Sequence, residues 1–192
     1  MGLYKYLNKF WQDQKTESKD LIRERLIQWR REPSIVVMEH PTRLDKARML
    51  GYKAKQGFIV ARIRLGAGGR FRPSVNKGRK PKRFGQNFST TKNLQAIAEL
   101  RVNRKYPNME VLNSYYVAGD SKSQWYEVIL IDRAHPAIIN DRDINWIINQ
   151  RGRAARGLTA AGKRSKEARR KESKFPAKRS SKDRSRAIKR RG

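Results

Sequence analysis

Residues 57–65 read GFIVARIRL. Side chains alternate across a strand, so Ile59, Ala61, Ile63 and Leu65 share one face. The other face begins apolar with Phe58 and Val60 and then turns basic with Arg62 and Arg64. A strand with one buried face and a cationic end on the other fits a sheet edge. The next stretch of chain supports that placement. Residues 66–83, GAGGRFRPSVNKGRKPKR, carry no apolar periodicity and are dense in Gly and Pro, which marks a long loop. Structureless connections of this length inside a domain are uncommon and usually functional or disordered. The strand therefore feeds a basic arm.

Elements can be read outward on both sides. Upstream, Leu3, Leu7, Phe10 and Trp11, with Tyr4 and Tyr6, give an aromatic amphipathic helix. A second helix starts near Ser18 as a candidate N-cap, presents Ile22, Leu26 and Trp29 on one face, and stops at Pro33. Core packing is the expected use of these aromatics. Ile35–Met38 is a short strand, and Thr42 is placed to cap a helix from Arg43 to Leu50, ended by Gly51. Downstream of the arm, Ser89, Thr90 or Thr91 caps a helix to about Lys105, where Leu94, Ile97, Ala98 and Arg101 trace a stripe with Leu100 and Val102 beside it, and Pro107 bars continuation. Strands Glu110–Val117 and Gln124–Ile131 flank the turn sequence AGDSKS and form a hairpin. A helix over Asp141–Asn149 closes the domain. The order predicts an α+β fold, with helices packed on a mostly antiparallel four-stranded sheet, a long basic internal loop and a basic C-terminal extension.

Composition bounds the function. The chain has 192 residues, 47 Lys and Arg against 17 Asp and Glu, and a net charge of +30. Residues 62–83 hold nine basic and no acidic side chains, and residues 151–192 hold 18 basic and three acidic. Residues 84–150 hold seven of each. The charge thus belongs mainly to two segments, and a polyanion is the expected partner. The expected division is a single globular domain, 1–150, carrying the arm at 66–83, and an extension, 151–192, that orders on RNA. The stretch Thr159–Lys174 has helix-forming residues but no apolar stripe, so nothing is expected to dock it on a protein core.

The remaining polar residues offer little chemistry. There is no Cys, so there is no disulfide, thiolate metal site or cysteine nucleophile. Gly157-Leu-Thr-Ala-Ala-Gly162-Lys163 has the G-x4-G-K spacing of a phosphate-binding loop, but Arg164 stands where Ser or Thr must ligate magnesium. The glycines are better read as letting backbone amides approach RNA phosphates. Asp141 and Asp143 would share a face only in a strand, and helix-terminal placement is the simpler reading. His40 and His135 each precede Pro, in turns. GAGGR lacks the third glycine of a dinucleotide loop, since position 71 is Phe71. No catalytic constellation, cofactor site or metal site is expected. No apolar run is long enough to span a bilayer.

The run RLDKARMLGYKAKQG, Arg43 to Gly57, lies within a longer stretch from Trp29 to Leu65 that resembles the archaeal and eukaryotic large-subunit ribosomal protein fifteen family of the "e" type. The opening MGLYKYLNKFW and RGRAARGLTAAGK, Arg151 to Lys163, are similar to that family too. The ending lacks a Trp-containing extension, which resembles the archaeal members. The resemblance implies an α/β sandwich with extensions in large-subunit rRNA, neighbouring large-subunit ribosomal proteins as further partners, a cytoplasmic ribosomal location and no catalysis. By position it points to Arg43, Lys46, Arg48, Lys53, Lys55 and Gln56. Charge density, together with the basic face of the strand, independently gives Arg62, Arg64, Arg70, Arg72, Lys77, Arg79, Lys80, Lys82 and Arg83, and then Arg151, Arg153, Arg156, Lys163 and Arg164.

A chromatin-type DNA compactor would explain the charge but not an arm looped from an α+β domain. An RNA-processing enzyme lacks the residues. A peripheral membrane protein would place its aromatic anchor far from its charge. A membrane, a small-molecule substrate and self-association are not expected.

Overall fold

The computed structural model describes residues 2–12, 17–79, 85, 87–88 and 90–172, with the backbone alone at 17, 18, 70, 87, 88 and 167–172. The elements are α1 (Leu3–Gln12), α2 (Glu17–Arg31), β1 (Ile35–Met38), α3 (Leu44–Met49), β2 (Phe58–Gly66), β3 (Arg70–Phe71), β4 (Asn87–Phe88), α4 (Leu94–Lys105), β5 (Met109–Gly119), β6 (Ser123–Asp132), α5 (Pro136–Ile139), a 3-10 turn (Asn145–Ile147), α6 (Arg153–Arg156) and α7 (Ala160–Glu172). The main sheet is four-stranded in the order β1-β2-β6-β5, and every pairing is antiparallel. The α+β class, the four strands and the hairpin stand as read from the sequence.

The central pairing sets the register. Ala61 lies opposite Val128, Ile63 opposite Tyr126, and Phe58 opposite Ile131. Both faces are covered. On one, Phe58, Val60, Trp125, Ile129 and Ile131 pack with Leu26 and Trp29 of α2, Ala47 and Tyr52 of the α3 region, and Ile138, Ile144 and Ile147. On the other, Ala61, Ile63, Leu65, Val128 and Leu130 pack with Ala98 and Val102 of α4 and Ala154 of α6. Each fully buried aliphatic side chain contributes about 1.5–3 kcal/mol of transfer free energy, so this double layer is the main source of stability.

Several expectations change. β2 is an interior strand, not an edge, because β1 and β6 flank it. The arm is not wholly structureless: Arg70 pairs with Phe88 and Phe71 with Asn87 in a small separate sheet. Thr42 does not cap α3, since Arg43 holds that position without a side-chain cap. Asn93, not Ser89, Thr90 or Thr91, caps α4, its Oδ1 accepting from the Ala96 N–H at 2.7 Å. α2 opens at Glu17, which puts Ser18 inside it. The expected Asp141–Asn149 helix is a run of turns with one 3-10 segment, which still buries Ile144 and Ile147 and leaves Trp146 exposed. In α1 only Trp11 is buried, while Leu3, Tyr4, Tyr6 and Phe10 are exposed.

The largest correction concerns residues 151–166. They are not set free from the domain. Thr159, Ala161 and Ser165 are buried. The Ser165 hydroxyl accepts from the Asn93 N–H at 3.1 Å, and the Asn93 side-chain amide donates to the Ala161 carbonyl at 3.3 Å. α7 docks on the start of α4 through small residues rather than through an aliphatic stripe.

Candidate nucleic-acid interface

Three buried glutamates explain how the basic segments are held. Glu127 of β6 accepts from the Thr42 N–H at 3.1 and 3.3 Å and from the Tyr115 hydroxyl. This fixes the entry to α3. Glu110 of β5 accepts from the Gly152 and Arg153 N–H groups, both at 2.8 Å, which orients the first turn of α6. Glu99 of α4 accepts from the Ser114 and Thr159 hydroxyls and holds the entry to α7. Burial pushes the Glu99 and Glu127 carboxyls above the usual carboxylate range, against the opposing pull of these donors. Burial and the adjacent Glu127 push the Tyr115 phenol up.

The expected RNA-binding residues divide into two sets. One set is spent inside the protein. Lys53 Nζ contacts Asp141 at 3.0 Å and Asp143 at 2.9 Å. Lys55 pairs with Asp141 and donates to the Ala137 carbonyl at 3.0 Å. Hydrogen bonds from Lys55 and then Lys53 hold the Asp141 carboxyl well below the usual range. Asp143 and Asp141 hydrogen bonds raise Lys53. Asp141 and Asp143 are therefore the anionic jaws of a lysine clamp; among the described residues no group of acids and histidines could hold a metal ion.

Arg43 sits 5.0 Å over the Trp11 ring and bonds Asp45 at 3.2 Å. Arg62 is buried, pairs with Glu32 and lies 4.2 Å over Trp29. Arg64 donates to the Arg30 carbonyl. Arg153 donates to the carbonyls of Val111 and Leu112 at 2.6 and 3.0 Å and stacks 4.8 Å from Trp146. Burial lowers its pKa. The basic face expected of β2 is thus internal at Arg62, and Arg153 is a fastener for α6.

The second set faces outward. Gln56, Arg72, Lys77, Arg79, Arg151, Arg156, Lys163 and Arg164 are exposed, and Lys46 is half-buried. Arg48 is exposed with its guanidinium 5.5 Å over the Tyr4 ring. Arg156 bonds the Gln150 side chain at 3.1 Å. Lys77, Arg79, Lys163 and Arg164 make no ion pair with an acid among the described residues. The side chain of Arg70, and Lys80, Lys82 and Arg83 altogether, lie outside the described residues, as does the extension from residue 173 on.

The glycines of the G-x4-G-K stretch serve a different purpose from the expected phosphate approach. Gly157 ends α6 in the left-handed region at φ 68°. A Cβ placed on Gly162 would lie 2.6 Å from Gly157 Cα. The two glycines let α7 touch the turn after α6 backbone to backbone. His135 also has a structural use, its Nδ1 accepting from the Ala137 N–H at 3.1 Å at the start of α5. No helix among the described residues is long and apolar enough to cross a membrane.

Sequence reasoning did not separate the two sets of cations, because charge density carries no record of distant carboxylates. It also missed Arg104 and Arg133, which join Arg151 around one recess. They lie in the charge-neutral region, and no local excess of basic residues marks them.

The fold and the surface can be set beside known proteins. A family model described as Ribosomal L15 matches residues 2–186. A relative from Methanocella arvoryzae, "Large ribosomal subunit protein eL15", is 50% identical over 172 residues, covering 88% of this chain and 88% of that protein.

Proposed function

Since the chain belongs to the L15e family and is a structural protein of the large ribosomal subunit in the cytoplasm, we propose that it acts as a single-copy brace on large-subunit rRNA through its outward cations. The observation that carries this reading is the contrast between cations paired inside the protein and four exposed ones, Lys77, Arg79, Lys163 and Arg164. The acidic residues of 84–150 point their oxygens at groups of the protein itself, while Lys77, Arg79, Lys163 and Arg164 meet no carboxylate partner among the described residues.

Each cation that meets a phosphate releases condensed counterions, and Arg adds bidentate geometry and stacking. The RNA-facing set is Lys46, Arg48, Gln56, Arg72, Lys77, Arg79, Arg151, Arg156, Lys163 and Arg164, with Arg70, Lys80, Lys82 and Arg83 joining from the sequence. Arg43, Lys53, Lys55, Arg62, Arg64 and Arg153 instead hold the surface in shape. Neighbouring large-subunit proteins complete the surroundings, and the work is scaffolding with no reaction.

Changing Arg79, Lys80, Lys82 and Arg83 together to Gln tests the arm. If each meets one phosphate, the log–log salt slope for large-subunit rRNA binding falls by about three. An unchanged slope removes the arm from the interface.

A further inference from the structure

The recess beside α6 has a volume of about 430 Å³ and is lined by Arg104, Arg133, Arg151, Asn103, Pro107 and Glu110, among others. Its arginines arrive from three places: the last turn of α4, the chain just after β6, and the approach to α6. Arg104 and Arg151 are exposed and have no hydrogen bond, ion pair or ring contact among the described residues. Among the described residues the Arg133 guanidinium reaches only the Gln150 carbonyl, at 3.5 Å, and its Nε is buried without a partner. Glu110 does not neutralise the group. It is buried, and each of its oxygens accepts a backbone N–H from Gly152 or Arg153.

Elsewhere this protein holds its partly or fully covered cations with carboxylates or with carbonyls at 3.0 Å or less, as at Lys53, Lys55, Arg62 and Arg153. Three arginines thus line one recess, and among the described lining residues the one carboxylate, Glu110, is already engaged. The volume admits one nucleotide unit, and Pro107 offers an apolar wall for a sugar or base. We propose that this recess seats a single phosphate of the rRNA backbone, gripped by Arg104, Arg133 and Arg151 together. The proposal rests on the rRNA-binding reading for the source of the phosphate, but two of the three arginines, Arg104 and Arg133, lie outside both the arm and the C-terminal extension.

Two measurements on the full chain test it. In the first, inorganic phosphate is titrated at constant ionic strength and the Arg Nε–Hε resonances are followed. Arg133 should shift saturably, and the shift should vanish in R104Q/R151Q. A flat Arg133 signal in the unaltered protein, or the same shift in that variant, overturns the seat whatever the RNA does. In the second, large-subunit rRNA is bound by R104Q/R133Q/R151Q and by the charge-matched R23Q/R25Q/R31Q, each checked for an unchanged melting transition. Three cations on one phosphate should weaken affinity by about tenfold while lowering the salt slope by only about one. Loss no greater than in the matched variant, or a slope change near three, overturns the shared grip. Failure of the unaltered protein to bind rRNA, with phosphate still shifting Arg133, would instead defeat the function reading and keep a phosphate seat. R133K retains charge but loses the fork, and should recover less than half of the lost binding free energy.

Discussion

Arg62 shows how an identity can be plain in the sequence while its use is not. It lies at an outward position of the GFIVARIRL alternation, yet α2 covers that face and supplies the Trp29 ring, and Glu32 just beyond α2 supplies the carboxylate. Periodicity reports which residues share a face and says nothing of what later packs on it. Arg62→Ala should destabilise the fold by about 2–3 kcal/mol in urea titration, since it strips a mostly buried ion pair and a stacked guanidinium. Its rRNA affinity, measured where the variant remains folded, should stay within twofold. A loss of affinity as large as that of the arm variants would return Arg62 to the interface. Asp141 gives a second test, through pH. Its carboxyl is held below the usual value of about 3.9 by Lys55 and Lys53. The folded state therefore binds a proton less readily than the unfolded state, and the stabilisation is complete above about pH 5. It is lost as pH falls below about 4 toward the depressed folded value. The stability difference between the parent and Asp141→Asn should be flat above that window and shrink within it. A difference that grows on acidification would contradict the clamp.

At the scale of elements, the strands and the hairpin were legible because their signals are local. Alternation over Phe58–Leu65, the turn at AGDSKS and the breakers Pro33 and Pro107 need no knowledge of distant partners. α7 was not, because its docking uses Ala161, Gly162, Thr159 and Ser165, residues that an apolar-stripe reading passes over. Close backbone approach replaces aliphatic area, and Glu99 supplies the polar anchor through Thr159. Gly162→Ala tests this directly. The added methyl meets Gly157 backbone atoms at 2.6–3.1 Å, which a side-chain rotation cannot relieve. The helix must move off, at a cost of about 1–3 kcal/mol. Limited trypsin digestion of the free protein should then cut at Lys163 and Arg164 faster than in the parent, where the docked helix should slow cleavage. Equal cutting in both proteins would mean that α7 is not docked in solution. The arm and the tail were marked by charge alone, and charge could not tell which of their cations the domain would consume.

Across the whole molecule, the seven acids of residues 84–150 balance seven basic residues in number without facing them. Glu99, Glu110 and Glu127 hold hydroxyls and backbone amides, Asp120 holds Arg30, and Asp141 with Asp143 holds Lys53. Negative charge is drawn to internal use, and much of the +30 is left for the surface. Such a surface repels itself, and this repulsion acts over distances at which salt screens strongly, whereas the buried carboxylates are screened much less. One chain should therefore show two opposite salt responses. In the free protein, raising NaCl from about 0.05 to 0.5 M should increase the melting temperature by a few degrees, because about 1 kcal/mol of relief corresponds to a shift of that order in a domain of this size. Over the same range the affinity for rRNA should fall by several orders of magnitude, because salt removes the counterion-release advantage. Calorimetry and filter binding on the same preparation check the pair. A melting temperature that falls with salt would mean that internal ion pairs, not surface repulsion, dominate the electrostatics, and that the cations are not held at a surplus for RNA.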